Sequence, residues 1–259
     1  MFPILFRAGG VSIATYGLLV ALGWLAAISW LWTRRGDIGL TEDEFWSLIW
    51  RVFFGAILGG KILFLIVEWQ SLASGAVPWT GVLRYGFVFF GGLCGAILML
   101  WLYARTSGKR FMLLADHLGT ALPMGHAVGR LGCLAAGCCY GLPTSLPWGV
   151  RFTDPYSLVA PSLLGIPLHP TQLYEAGADV LIALALTRVL RKIRGGGLPE
   201  GTACLGYLIL YSAARFAIEF YRGDDRGGFL AGMSPSQWIA LAVLAAAGPV
   251  LWRQFKRSG

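Results

Sequence analysis

Three arginines lie in segments that are otherwise apolar. Arg130 is in GHAVGRLGCLAAGCCYG, and Arg215 and Arg222 are in YSAARFAIEFYRGDD. A guanidinium inside a bilayer costs several kcal/mol, so it is retained where it pairs or takes part in function. Arginine also keeps its charge at any accessible pH and presents a planar fork that suits phosphate. The pattern predicts that the protein binds an anionic lipid headgroup, with Arg130 and Arg215 in contact with the phosphate.

Such arginines suit a reaction in which a phosphate group leaves. Negative charge grows on the leaving phosphate, and one preorganised donor in a low-dielectric cavity can lower the barrier by about 3 kcal/mol. Glu219 follows Arg215 by four residues and precedes Arg222 by three, so on one helix all three side chains would share a face. Two interpretations of Glu219 and Arg222 stay open: a structural ion cluster, or part of the reacting site.

A second polar motif, HPTQLYE, runs from His169 to Glu175. Proline at a first helical turn fits the fixed φ of that residue, so the motif can be simply a capped helix entry. The helix dipole favours a carboxylate such as Glu175 near the N-terminus. In the functional alternative, the side chains of His169, Gln172, Tyr174 and Glu175 contact substrate near the outer surface.

His126 lies four residues before Arg130, which places both on one face of a helix. A histidine there can act as a general base if it reaches the proton that it removes. The alternative is that His126 is structural. Both interpretations stay open, and His126 is a candidate base.

Three of the five cysteines are close together, at Cys133, Cys138 and Cys139. They can be small buried hydrophobes, or a disulfide can join Cys133 to Cys138 or Cys139. A thiolate beside Arg130 can also be a nucleophile with a lowered pKa. A metal site is not expected, because no C-x-x-C pair accompanies a matching pair of histidines. The sequence indicates no cofactor.

The composition indicates a membrane protein. Hydrophobic residues make up 56% of the 259 residues, charged residues make up 13%, and the mean hydropathy is +0.65. Soluble domains have about 25% charged residues, so this chain lacks the polar surface to face water. The net charge of +8 comes from basic residues between apolar spans rather than from a basic patch, and nucleic acid is not an expected partner.

Apolar length and turn residues predict an all-α membrane protein with seven transmembrane helices in one domain, 1–259. Thr41, followed by three acidic residues, is a strong helix N-cap. The stretch 130–169, rich in Gly and Pro, is predicted to be an irregular segment that carries part of the site. The predicted spans are about 11–32, 41–68, 86–104, 111–129, 170–190, 202–222 and 235–252.

The distribution of basic residues predicts the orientation. Twelve of the 21 basic residues fall at alternate span ends, and the positive-inside rule places those ends in the cytoplasm. The N-terminus and the segment 130–169 are then outside, and the C-terminus is cytoplasmic. The twelve are Arg34, Arg35, Arg105, Lys109, Arg110, Arg188, Arg191, Lys192, Arg194, Arg253, Lys256 and Arg257.

The chain resembles the prolipoprotein diacylglyceryl transferases. The likeness rests on an ordered set of motifs along nearly the whole chain: Tyr16-Gly17, GAILGGKILF, FVFFGGLCG, GRLGCLAAGCCYG, HPTQLYEA, ARFAIEFYRGDD and GMSPSQW. The family consists of multi-pass enzymes of the bacterial inner membrane. They move diacylglycerol from phosphatidylglycerol to the lipobox cysteine of a prolipoprotein. The resemblance implies that fold, that location, that activity and those two substrates.

The spacing arguments and the resemblance together give the expected roles of individual residues. The expected catalytic residues are Tyr16, Arg130, Arg215 and Glu219, with His126 as a candidate base. The expected substrate-binding residues are Gly129, Cys133, Cys138, His169, Gln172, Tyr174, Glu175 and Arg222.

The chain departs from the family pattern at four positions. Family members usually have Asn where this chain has Cys133 and Ala136, Glu where it has Cys138, and His where it has Phe90. The phosphate-binding arginines are kept while the residues expected to act on the acceptor thiol are changed. The main prediction is the family transferase. The alternatives are a divergent member that uses another acceptor, and a non-catalytic phospholipid-binding or transport protein.

Overall fold

A computed structural model of the chain describes residues 2–8, 11–76, 78–84, 86–225 and 228–258. The described part is mostly helical. Its strands and helices, in chain order, are β1 Ile4–Ala8, β2 Val11–Ala14, α1 Thr15–Trp32, α2 Glu42–Val67, α3 Trp69–Ala73, α4 Trp79–Arg84, α5 Phe89–Ser107, α6 Phe111–Ala136, β3 Val150–Arg151, β4 Pro167–Leu168, α7 Thr171–Arg194, α8 Thr202–Glu219 and α9 Pro235–Ser258. The strands form two antiparallel pairs, β1 with β2 and β3 with β4.

Seven helices in the described ranges have at least 18 residues, and each overlaps a predicted span. Four of them, α1, α2, α5 and α9, are long and apolar enough to cross a bilayer. This confirms the helical membrane class. The other three, α6, α7 and α8, carry most of the buried polar residues described below.

Four predicted span ends differ from the structure by four residues or more. Helix α7 ends at Arg194 rather than at 190, α9 ends at Ser258 rather than at 252, and the other two have a clear physical reason. The first span was placed at 11–32, but α1 begins at Thr15 because Val11–Ala14 pairs with β1. Periodicity does not distinguish a short apolar strand from the start of a helix. The irregular segment was predicted to begin at 130, but α6 continues to Ala136 and ends where Gly137 adopts a φ of 76°.

The predicted N-cap of α2 is confirmed. Thr41 Oγ1 accepts a hydrogen bond from Glu44 N at 3.3 Å, and Glu44 Oε2 accepts one from Thr41 N at 2.9 Å. This reciprocal arrangement satisfies two backbone donors that a helix start otherwise leaves free.

Contacts divide the chain into two units, residues 32–115 and residues 1–31 with 116–259. Within the first, α2 and α5 cross closely through glycines. A Cβ at Gly59 would meet the carbonyl oxygen of Gly91, and a Cβ at Gly95 would meet that of Gly55. The two glycines on α2 are four residues apart, and so are the two on α5. This is the small-xxx-small spacing that lets membrane helices approach closely. Larger side chains at these four positions would separate the helices.

In the other unit, a carboxylate of α6 fixes the start of α8. Asp116, fully buried, accepts hydrogen bonds from Gly201 N at 2.7 Å and Cys204 N at 2.8 Å. A carboxylate at a helix N-terminus satisfies free backbone donors and is favoured by the dipole. The helix α8 also packs against α7 and α9. These contacts fix the positions of α6, α7, α8 and α9 relative to one another.

The segment 137–169 connects α6 to α7 and has its own small core of Tyr140, Phe152, Val159 and Leu168. Its beginning is fixed by backbone hydrogen bonds from two sides. Gly141 N donates to His169 O at 3.0 Å, and Leu142 N donates to Tyr221 O at 2.9 Å. The end of α6, the start of α7 and the end of α8 therefore meet at one place.

Candidate functional site

A buried carboxylate lies at that meeting point and pairs with all three arginines. Glu175, in the second turn of α7, is 3% exposed. Its Oε1 lies 2.8 Å from Arg222 Nη1 and 3.2 Å from Arg215 Nη1, and its Oε2 lies 2.5 Å from Arg130 Nη2. The three arginines predicted to act together are thus brought together, and the residue that joins them is Glu175.

Two further carboxylates complete the cluster. Glu219 Oε2 lies 2.7 Å from Arg215 Nη2, the predicted pairing at i and i+4, and Ser234 Oγ donates to Glu219 Oε1 at 2.7 Å. Asp224 accepts from Arg222 Nε and Nη2, both at 2.8 Å, as a bidentate pair. Three guanidinium groups therefore face three carboxylates, and the cluster is balanced in charge. That balance is how an interior of low dielectric tolerates so many ions.

The prediction that Arg215, Glu219 and Arg222 share one helical face is wrong for Arg222. Helix α8 ends at Glu219, and the chain turns so that Arg222 N donates to Glu219 O at 3.2 Å. Arg222 then bridges to Gly141 in an isolated antiparallel pair. Its side chain enters the cluster from this turn, because spacing alone does not show where a helix ends.

The arginines differ in how many donors they have left. Arg222 uses Nε, Nη1 and Nη2 on carboxylates, while Arg215 uses Nη1 on Glu175 and Nη2 on Glu219 and Ser236. The buried Nε of Arg130 has no hydrogen-bond partner in the part of the chain that the structure describes. Among the described residues, the Nη1 of Arg130 reaches only sulfur atoms, those of Cys139 at 3.6 Å and Cys133 at 3.9 Å. Arg130 is therefore the arginine best able to bind a further acceptor.

Those sulfur atoms belong to a group of three cysteines at the end of α6. Gly137 N donates to Leu134 O and Cys138 N donates to Cys133 O, both at 3.2 Å, which is the Schellman pattern of a helix end. This turn brings the backbone of Cys138 back to that of Cys133. Cys139 follows with a φ of 61°, an uncommon value for a residue with a side chain.

The three Sγ atoms of Cys133, Cys138 and Cys139 all lie within 4.8 Å of one another, and each cysteine is a free thiol. Hydrogen bonds from Cys133 and Cys138 lower the pKa of the Cys139 thiol, and the charge of Arg222 lowers that pKa further. The grouping of three sulfur atoms was not predicted, because the sequence lacks the paired C-x-x-C spacing that usually indicates such a group. A tight turn after a helix brings C-x4-C-C together equally well.

The first residues of α7 hold this cysteine turn in place. Thr171 Oγ1 donates to the carbonyl of Cys139 at 2.7 Å, and Gln172 Nε2 donates to the carbonyl of Cys138 at 2.7 Å. Both donors are fully buried. The HPTQLYE motif is therefore more than a helix entry, since it fixes the cysteines with two residues and the arginines with Glu175.

The aromatic side chains of the motif form a separate group. Tyr174 Oη lies 3.1 Å from His169 Nδ1 and accepts from Trp148 Nε1 at 2.9 Å. The ring of Tyr221 packs against His169 with centroids 5.1 Å apart. These half-exposed groups, with polar tips on apolar rings, are typical of a membrane interface.

His126, the candidate base, pairs with a carboxylate that was not predicted. Its Nδ1 lies 2.9 Å from Oδ2 of Asp179, which is 1% exposed. The ring of Tyr211 packs beside it at 5.6 Å. Asp179 is one turn after Glu175 on α7. A carboxylate at that spacing in an apolar helix was a signal available in the sequence.

Comparison with known proteins agrees with this arrangement of motifs. The family model described as prolipoprotein diacylglyceryl transferase matches residues 3–253. The chain belongs to the prolipoprotein diacylglyceryl transferase family. The predicted resemblance is confirmed.

Individual relatives show the same extent of likeness. The phosphatidylglycerol–prolipoprotein diacylglyceryl transferase of Clostridium tetani is 37% identical over 241 residues, which cover 93% of each chain. The enzyme numbered 2 from Clostridium perfringens is 33% identical and covers 91% of this chain and 88% of its own. That of Dehalococcoides mccartyi is 32% identical over 98% of this chain and 95% of its own.

Three further positions were named in the comparison with the family, two of them for an expected role and Phe90 as a departure from the family pattern. Tyr16 is in the first turn of α1 and half-exposed, and a Cβ at Gly132 would lie 3.2 Å from its carbonyl oxygen. Gly129 lies beside Arg130, and a Cβ at Gly129 would meet no atom of the described residues within 4 Å. Phe90 is in the first turn of α5, edge-on to Phe89 with ring centroids 5.7 Å apart.

Sequence reasoning missed three polar residues that hold the arginine cluster. Asp224 and Ser234 lie in or beside the loop between α8 and α9, and Ser236 is near the start of α9. Asp224 lies two residues after Arg222, and this short spacing was a signal for a local pair. The serines carried no signal, because their partners are far away in the chain.

Proposed function

We propose that this protein transfers the diacylglyceryl group of phosphatidylglycerol to the lipobox cysteine thiol of a prolipoprotein. The observation that carries the proposal is the buried arginine cluster, in which Arg130 has donors to spare beside two other arginines. The relatives from C. tetani and D. mccartyi are named phosphatidylglycerol–prolipoprotein diacylglyceryl transferases, which supports this reaction.

In the proposed reaction, the acceptor sulfur bonds to the glyceryl carbon while the bond from that carbon to the phosphate oxygen breaks. Glycerol phosphate leaves with growing negative charge, which Arg130 and Arg215 stabilise. This is electrostatic catalysis by preorganised donors in a low-dielectric site. The two residues stand on different helices, so the packing of α6 against α8 sets the distance between them.

The thiol proton needs an acceptor, and His126 is our candidate. Its Nδ1 is engaged by the carboxylate of Asp179, 2.9 Å away. That pairing supports the tautomer whose Nε2 is free to accept a proton. A thiol is already a few per cent ionised at neutral pH, so the base assists the reaction rather than being indispensable.

We assign supporting roles to the remaining residues. Arg222 and Glu219 hold the cluster in shape, because their polar atoms are engaged within it. Glu175 sets the spacing of the arginines. Tyr16 remains a proposed catalytic residue. The proposed substrate contacts are Gly129, Cys133, Cys138, His169, Gln172 and Tyr174.

We also infer that the chain is a single domain of seven spans in the bacterial cytoplasmic membrane. The seven long helices and the alternating basic ends support this topology. The acyl chains would then enter sideways from the bilayer, with the N-terminus and the segment 137–169 outside.

The topology predicts different labelling of introduced cysteines in intact cells. Arg191→Cys and Lys256→Cys should resist a membrane-impermeant maleimide, while Ser145→Cys, exposed in the segment 137–169, should react. The unmodified chain gives the baseline from its native thiols. Strong labelling at Arg191→Cys together with protection at Ser145→Cys would reverse the orientation.

The activity is tested with the purified protein, phosphatidylglycerol and a synthetic lipobox peptide. We expect release of glycerol phosphate together with a mass increase of the peptide by one diacylglyceryl group. A peptide with serine in place of its cysteine is the matched control and should stay unmodified. Release without peptide modification would indicate another acceptor. Lipid binding without release would indicate the non-catalytic alternative.

A further inference from the structure

The three cysteines at the end of α6 are arranged as a set rather than as a chance group. The Schellman turn brings Cys138 back to Cys133, and Cys139 adopts a left-handed backbone conformation that is strained for a residue with a side chain. Two buried side chains, Thr171 and Gln172, then fix the carbonyls of Cys138 and Cys139. The fold therefore holds three thiols together from both sides of the turn.

The spacing of the sulfur atoms fits a metal ion. All three Sγ atoms lie within 4.8 Å of one another. Three sulfur ligands at Zn–S distances of about 2.3 Å in tetrahedral geometry are separated by about 3.8 Å from each other. Shifts of about 1 Å or less would reach that geometry, whereas a disulfide would use only two of the three sulfurs.

The charges around the three cysteines are also suitable for a bound metal ion. Three thiolates and one Zn²⁺ carry a net charge of −1, and the Arg130 guanidinium lies 3.6 Å from Cys139 Sγ and 3.9 Å from Cys133 Sγ. A cation at that distance offsets the excess charge and donates toward the sulfurs, as outer groups do around metal sites. Cys138 and Cys139 are half-buried, which leaves a path for an ion to enter.

We propose that Cys133, Cys138 and Cys139 bind one Zn²⁺ ion as three thiolate ligands. No fourth His, Cys, Asp or Glu donor joins the group in the ranges that the structure describes. The ion therefore keeps one position for water or another small ligand, which is the open coordination typical of non-structural zinc sites. Thiolate ligands select zinc or Cu(I) over the hard cations Mg²⁺ and Ca²⁺.

The test measures zinc directly in the full-length protein. The protein is purified in detergent under reducing conditions, equilibrated with Zn²⁺, freed of unbound ion, and analysed for metal content. We expect one equivalent of Zn²⁺ per chain, and Co²⁺ in its place should give the intense near-ultraviolet bands of thiolate coordination. Cys138→Ala and Cys139→Ala should both lose the ion and the bands.

Two matched controls make the result decisive. Cys94→Ala and Cys204→Ala remove thiols outside the group and should keep the full equivalent. The thermal unfolding midpoint of the metal-free Cys138→Ala and Cys139→Ala variants should match that of metal-free wild type, so that loss of zinc is not loss of fold. Zn²⁺ should raise the midpoint of wild type alone among these three.

The proposal is overturned if wild type retains no zinc, or if Cys138→Ala and Cys139→Ala retain as much as wild type. Retention of Cu(I) but not Zn²⁺ in parallel samples would overturn the assignment to zinc. A disulfide between two of these cysteines in protein isolated without reductant, followed by failure to bind Zn²⁺ after reduction, would also overturn it.

Discussion

Arg130→Ala is expected to lower turnover of phosphatidylglycerol by about 10²–10³-fold, the usual cost of removing one preorganised donor to a developing negative charge. Arg130 is the arginine with donors left after its pairing with Glu175, so it has most to offer a leaving phosphate. Arg215→Ala should have a similar effect. Arg130→Lys should recover only part of the activity, because an ammonium lacks the planar fork.

The measurement is the initial rate of glycerol phosphate release over a range of lipid concentrations, which gives kcat and KM separately. Arg191→Ala is the matched control, because Arg191 is exposed in the last turns of α7, about 24 Å along the helix from Glu175. It should keep wild-type turnover. Near-normal kcat in both Arg130→Ala and Arg215→Ala would remove the phosphate-binding role. A change confined to KM would show that these arginines bind the lipid without assisting the reaction.

Local signals predicted most of the helical layout. Apolar length placed every long helix, and the capping pattern at Thr41 fixed the start of α2 to within one residue. The errors occurred where local signals are ambiguous. Val11–Ala14 is as apolar as the helix that follows it, and Arg130 lies between Gly129 and Gly132 although α6 continues for six more residues.

The candidate site was predicted in its residue types but not in its connections. Arg130, Arg215 and Glu219 were identified because charges are rare in apolar segments. The central place of Glu175 was not predicted, since it depends on the packing of α6, α7 and α8. A helix dipole explains a carboxylate near an N-terminus equally well. Asp179 could have been noticed as a carboxylate in an apolar helix, but only packing shows that it faces His126.

The charge balance of the cluster bears on how a lipid phosphate would bind. Glu175 pairs with Arg130, Arg215 and Arg222, so an entering phosphate would share these donors with a carboxylate already present. Because the Nε and Nη1 of Arg130 are not bound to a carboxylate, the phosphate would approach from the side of Arg130. Arg222, which is bound to both Glu175 and Asp224, then keeps Glu175 from moving with the phosphate.

Glu175→Ala is expected to destabilise the protein by about 3–5 kcal/mol, the cost of leaving buried charges without their partner. Three guanidinium groups would lose a shared carboxylate at one place, and Arg130 would lose its only ion pair among the described residues. Glu175→Gln should be milder, because its amide oxygen still accepts hydrogen bonds from two of the arginines. The measurement is the thermal unfolding midpoint in detergent, with Glu42→Gln, exposed in the first turn of α2, as the control that should unfold like wild type. If Glu175→Ala unfolds at the wild-type midpoint, Glu175 does not hold the arginines together. The cluster would then depend on Glu219 and Asp224 alone.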